Sequence, residues 1–165
     1  MLFRSVVRDF YRNHRDSLIG SQVPTYSLPC WTTAAPTWYV WMRVLWNPEL
    51  DVDATLDELC RRLFGRGAAS ARALLRLECE RWEGMTWTRP LLQEDMLGVG
   101  EGSLRFRDDT HFRESWPPDV VARMQALREQ AQAEVADDQQ ARQALLYWTW
   151  TFDEFIKYAG TIYGT

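Results

Sequence analysis

Acid–base catalysis is the first chemistry to consider, because the chain holds twenty-three carboxylates and two histidines. A general acid and a general base must stand at a fixed separation around a substrate, and no spacing in this sequence selects such a pair. Asp57–Glu58 and Asp153–Glu154 are adjacent, so on a helix their side chains point about 100° apart. Both pairs are predicted to be solvated charges or capping groups. His14, at the end of a predicted helix, is expected to bond to last-turn carbonyls.

Nucleophilic, phosphate-binding and metal-binding motifs are missing from the sequence. There is no G-x-S-x-G, and the Gly-x-Gly-x-Gly run at 98–102 has no flanking strand and helix, which predicts a loop. Cys30, Cys60 and Cys79 show neither C-x-x-C spacing nor a nearby histidine pair, which argues against a disulfide framework or a zinc site. Cys60 and Cys79 are predicted to be buried thiols. No cofactor and no metal ion are expected.

Composition indicates a folded domain with one core. The chain of 165 residues is 46% hydrophobic and 13% aromatic, which excludes disorder. A net charge of −4 does not favour nucleic acid, and no run of eighteen apolar residues predicts a membrane span. The first residues lack a signal peptide pattern. Leu2-Phe3-Arg4-Ser5 is also what a sequencing adapter encodes, so a truncated N-terminus, and with it the compartment, stays open.

The stretch from Pro29 to Gly65 is the centre of the predicted organisation. The segment 36–46 carries Arg43 as its one charge, which predicts a helix that is buried on nearly every side and has Pro36 in its first turn. Asn47-Pro48 should end this helix, since the residue before a proline avoids the helical region.

A second helix follows this elbow. Asp53 or Thr55 is expected to cap it, and it should run to Phe64 and end at Gly65. The two helices then form a helical hairpin.

Four short motifs in this stretch resemble the C-terminal helical part of a large bacterial glycoside-hydrolase-like family, in which a domain of unknown function is joined to an α-glucuronidase-like barrel. The motifs are Leu45-Trp46-Asn47-Pro48, Asp51-Val52-Asp53, Leu56 to Cys60, and Leu63-Phe64-Gly65 with Ala68-Ala69. The resemblance implies that the sugar-cleaving carboxylates lie upstream of this chain, in a barrel domain of the same protein. It also implies a carbohydrate ligand for that protein.

The N-terminal part, residues 1–28, is predicted to be a remnant of such a barrel. Residues 3–15 have the apolar spacing of an amphipathic helix, and Leu18-Ile19-Gly20 is predicted to be a short strand. Residues after the C-terminal end of a barrel strand face the active site. Gln22, Tyr26 and Trp31 are therefore the candidate substrate-binding residues, on a loop between Pro24 and Pro29; an ordinary polar loop is the alternative.

Residues 29–165 are predicted to be a mainly α domain, a helical bundle of αα-hairpins. Beyond Gly65, helices are expected at 67–83, where Gly84 should end the helix and Arg72 should face away from the core. A loop is expected at 85–116, with at most a short helix at 91–97. Two further helices, 118–135 and 139–158, are expected to form an antiparallel pair. Trp38, Trp41, Trp46, Trp148 and Trp150 are expected to pack rather than bind.

Three functions fit these observations. The first is a non-catalytic helical module of a carbohydrate-active protein, and the resemblance favours it. The second is an independent helical domain for protein–protein interaction. The third, a small enzyme, has no visible catalytic constellation.

Overall fold

The described part of the chain is helical. The computed structural model describes residues 8–17, 28–88 and 109–164, and in these ranges it contains no strand. The α-helices are α1 (Arg8–His14), α2 (Leu28–Trp46), α3 (Val52–Phe64), α4 (Ala68–Thr88), α5 (Asp109–Ser115), α6 (Pro118–Glu134), α7 (Gln139–Trp148) and α8 (Phe152–Tyr163). A 3₁₀ turn, Gly65–Gly67, joins α3 to α4. The predicted strand at Leu18-Ile19-Gly20 lies outside the described residues.

The helix ends of α3 follow from local chemistry, with one correction. Asp51, rather than Asp53 or Thr55, is the N-cap, and its Oδ1 accepts a hydrogen bond from the Ala54 amide at 3.0 Å. Thr55 instead donates its hydroxyl hydrogen bond to the Asp51 carbonyl at 2.7 Å. Gly65 ends the helix with φ of 48°, a conformation that favours glycine, as predicted.

Two apolar clusters form the interior, and α4 and α6 contribute to both. The first cluster joins α1, α2, α3 and α7 to one side of α4 and to the C-terminal end of α6; its fully buried members include Val44, Phe64, Leu75, Ala131 and Leu145. The second cluster joins α5 and α8 to the other side of α4; it includes Leu74, Phe112, Trp116, Met124 and Ile162. The pair α4 and α6 is therefore the spine of the domain, and these two helices pack extensively against each other.

Gly67, in the turn before α4, lies tightly against the C-terminal end of α6. A Cβ atom at this position would lie 2.6 Å from Val135 Cγ1 and 3.1 Å from the Ala131 carbonyl oxygen. A hydrogen in place of a methyl group is what lets the turn pack on α6.

Gly67→Ala should therefore destabilise the fold by about 1–3 kcal/mol, the usual cost of overpacking a filled site. Urea denaturation would measure it, with Val135→Ala and the double variant completing a double-mutant cycle. Removal of the Val135 methyl groups should relieve part of the clash, so the double variant should be more stable than the sum of the single effects. Additive effects would show that no clash with Val135 exists.

From Gly84 onward, three predicted boundaries are wrong. The fourth helix does not end at Gly84 but continues to Thr88. Residues Asp109–Ser115, predicted as loop, form α5, because Phe112 and Trp116 are buried in the second cluster and a helical turn places both there. The expected helix 139–158 is two helices.

The break between α7 and α8 falls at residues 149–151. The Thr149 amide bonds to Leu145 O at 2.9 Å and its hydroxyl group donates to the same carbonyl. The chain then turns, so that Leu145 packs in the first cluster and Phe152 in the second. One straight helix would place both residues on related faces of a single axis and could not serve the two clusters.

Candidate interaction surface

The predicted substrate-binding residues lie at the edge of what the structure describes. Gln22 and Tyr26 are outside the described residues. Trp31 lies within the backbone range of α2, not on a loop as predicted, and its side chain is outside the description. A carbohydrate site at these three residues remains a prediction.

The adjacent carboxylates are engaged in ion pairs rather than placed as a catalytic pair. Glu58 pairs with Arg62 at 2.6 Å, and Glu154 with Lys157 at 2.6 Å. Asp153 accepts from Arg128 at 2.5 Å, and this hydrogen bond lowers the pKa of Asp153. His14 also behaves as expected, because its Nδ1 bonds to the Phe10 carbonyl at 2.8 Å.

The prediction that Arg72 faces away from the core is wrong, because its side chain is only 8% exposed. Its Nη2 donates to Asp53 Oδ1 and its Nε to Asp57 Oδ1, both at 2.6 Å, which ties α4 to α3. Nη1 is buried without a hydrogen-bond partner. Burial by itself would lower the pKa of Arg72, but the hydrogen bonds to Asp57 and Asp53 outweigh it and the pKa is raised.

The described residues contain neither a reactive cysteine nor a cluster of metal ligands. Cys60 and Cys79 are buried, as predicted. Burial raises the pKa of Cys60 to about 11, so the thiol stays protonated at neutral pH and is a poor nucleophile. Across 8–17, 28–88 and 109–164, no group of three His, Cys, Asp or Glu side chains could hold a metal ion.

Helix α2 has two apolar sides, and only one of them faces the core. Pro36, Val40 and Val44 recur every four residues and are buried. Pro36 therefore lies inside the helix and not in its first turn. A second apolar stripe, at helical spacing on the other side, contains Tyr39, Met42, Leu45 and Trp46. We call these four residues the α2 face.

Solvent reaches the α2 face, so the prediction of a helix buried on nearly every side is wrong. Trp46 is 91% exposed, Met42 56% and Leu45 39%, while Tyr39 is half-buried. The helix ends at Trp46, as Asn47-Pro48 predicted, and α3 begins after a short elbow that leaves this side of α2 open.

The open apolar surface on α2 is of a size that suits an interface. From these exposures, covering it would remove roughly 400–500 Å² of accessible surface, since a buried aromatic side chain accounts for about 150–250 Å². Patches of about 300–600 Å² are the largest on a typical monomer and are often functional.

A smaller exposed group lies on α7 and the turn after it. Leu146, Tyr147 and Trp150 are each about half exposed, and the rings of Tyr147 and Trp150 lie 6.4 Å apart. Trp150 was predicted to pack in a helix, and the structure places it in the turn instead. Trp148, between these residues, packs edge-on to Phe64 at 4.9 Å in the first cluster, as expected.

The comparisons with known proteins found no match. No family model, curated protein or solved structure matches this chain. In the described residues, no helix is both long and apolar enough to cross a membrane.

Proposed function

We propose that this chain is a non-catalytic helical module that docks on a larger folded domain through the α2 face. The observation that carries the proposal is the exposure of Met42, Leu45 and Trp46 along one side of a helix whose other side is core. Trp, Tyr and Met are enriched in interfaces, and Trp and Tyr dominate their binding energy.

The extent of the α2 face favours another domain of the same polypeptide as the occupant. A standard stable complex between separate proteins buries about 800 Å² on each partner, more than the α2 face offers. Interfaces between domains of one chain bury about 600–1,500 Å² in total, which corresponds to about 300–750 Å² on each side. The α2 face falls within that range.

The resemblance to glycoside-hydrolase-like proteins supports an upstream barrel of a carbohydrate-active protein as the larger domain. In this proposal the barrel holds the catalytic carboxylates, and the present chain packs on it. Gln22, Tyr26 and Trp31 would then lie near its substrate, in keeping with their prediction as rim residues.

The test begins with the genomic DNA upstream of codon 1. An open frame that encodes a barrel is expected; that barrel and the present chain, expressed separately, should associate when mixed in isothermal titration. Trp46→Asp should weaken the complex at least 30-fold, the effect of losing an interface hot spot of about 2 kcal/mol. Leu146→Asp is the matched control, because Leu146 is 51% exposed on α7, and it should leave the affinity unchanged.

Two results would overturn the proposal. A genuine start site with no upstream barrel would instead support an independent interaction domain. Equal effects of Trp46→Asp and Leu146→Asp would show that the α2 face is not the contact.

A further inference from the structure

Arg43 stands at one edge of the α2 face. Its guanidinium carbon lies 5.8 Å from the centre of the Tyr39 ring, and its side chain is 48% exposed. It carries the only charge in the segment 36–46.

The charges beside Arg43 do not balance. Glu58, on α3, lies 2.6 Å from an Arg62 nitrogen through Oε1 and 3.7 Å from an Arg43 nitrogen through Oε2. One carboxylate therefore serves two guanidinium groups, and its closer contact is to Arg62. These three side chains together carry one net positive charge, and Arg43 holds it at the edge of the α2 face.

The pairing of Arg43 with Glu58 is weak enough to be exchanged. The Arg43 side chain is about half exposed, and ion pairs between exposed groups contribute about 0–1 kcal/mol. Arginine binds carboxylates bidentately and stacks on aromatic rings, so Arg43 can keep its contact with Tyr39 while it binds an incoming acid.

We infer that the surface that docks on the α2 face is apolar at its centre and presents an Asp or Glu carboxylate opposite Arg43. This inference rests on the proposed function and adds the chemistry of the partner. Complementary charge at the rim of an apolar contact selects partners and sets their orientation, because a like charge placed there is repelled. A partner surface with Lys or Arg at this position would be rejected.

Two small probes, added to the purified chain, test separately whether the α2 face binds apolar groups and whether Arg43 binds an anion. Anilinonaphthalene sulfonate is an aromatic anion whose sulfonate stands in for the carboxylate, and Nile red is a neutral apolar dye. Both should bind the α2 face with increased fluorescence. Arg43→Gln should weaken binding of the anionic probe about 5- to 10-fold and leave Nile red unchanged, and high salt should reduce binding of the anion to the wild type but not to Arg43→Gln.

The controls distinguish the possible failures. Arg76→Gln, at an exposed position on α4, should change neither probe. Trp46→Ser should weaken both. Unchanged anion binding in Arg43→Gln, with Trp46→Ser still effective, would overturn the inference and leave the α2 face standing. Unchanged binding of both probes in Trp46→Ser would show that the α2 face is not an apolar binding surface, and the inference would then be wrong as well.

Discussion

Replacing both acidic partners of Arg72, in Asp53→Asn/Asp57→Asn, is expected to destabilise the protein by about 3–5 kcal/mol, the usual cost of leaving a buried charge without its partner. The Arg72 side chain is 8% exposed, whereas Asp53 and Asp57 are each about half exposed. The cost therefore comes from the buried guanidinium, which would keep its charge and lose both neutralising carboxylates, since the asparagine amides still accept hydrogen bonds but carry no charge. One further contribution of about 0.3–1 kcal/mol is expected because Asp53 lies in the first turn of α3.

Replacing Arg72 itself should lower the free energy of unfolding far less than replacing its two acidic partners. Arg72→Met removes the buried charge and leaves two carboxylates that water already reaches, so its effect should be within about 1 kcal/mol. Chemical denaturation of all variants would measure this difference, with Asp137→Asn at an 89% exposed side chain as the matched control. If Arg72→Met cost as much as the double variant, the ion pairs themselves would be the stabilising element, and the view that burial of Arg72 decides the outcome would be wrong.

Glu78 should make the stability depend on pH. It lies on α4 one turn after Leu74 and Leu75, which belong to the two different apolar clusters. Burial raises the pKa of Glu78 from its ordinary 4.5 to about 7. The folded state therefore holds this proton in a range where the unfolded chain has released it. The stability contributed by the protonated form is complete below pH 4.5 and is lost as the pH rises through 7.

Glu78→Gln should remove this dependence. Relative to the wild type, the variant should gain at most about 2–3 kcal/mol in free energy of unfolding between pH 5 and pH 8, because the Glu78 side chain is only partly buried and water stabilises some of its ionised form. Urea denaturation at the two pH values measures it, and Glu80→Gln, at an exposed position on the same helix, is the control. An equal effect of Glu78→Gln at both pH values would mean that the carboxyl group is ionised alike in the folded and unfolded states.

The sequence predicts the helix that carries the candidate surface but not that this surface is exposed. The segment 36–46, which holds these residues, carries Arg43 as its one charge. A helix with apolar residues on every side is read as buried, because soluble domains rarely expose so many. The signal that was available is the presence of two stripes on α2, one spaced every four residues through Val40 and Val44 and the other through Met42 and Trp46. The described fold covers one of these stripes and leaves the other open to solvent.

What the sequence by itself determined is the helical class and the ends of helices that local chemistry governs. Gly65 ends α3 because its conformation favours glycine, Pro118 starts α6 because a proline in the first turn loses no hydrogen bond, and Asn47-Pro48 ends α2. Each of these depends on a few neighbouring residues, which the sequence contains.

Only the tertiary structure decided which side of each helix is covered. Arg72 is buried because two carboxylates on α3 lie opposite it, a fact that the α4 sequence does not contain. The chain turns between α7 and α8 because Leu145 and Phe152 belong to different clusters. Trp46 is open to solvent because neither α3 nor α7 covers that side of α2. Burial depends on which elements meet in space, and helical periodicity specifies which residues share a side but not what lies against it.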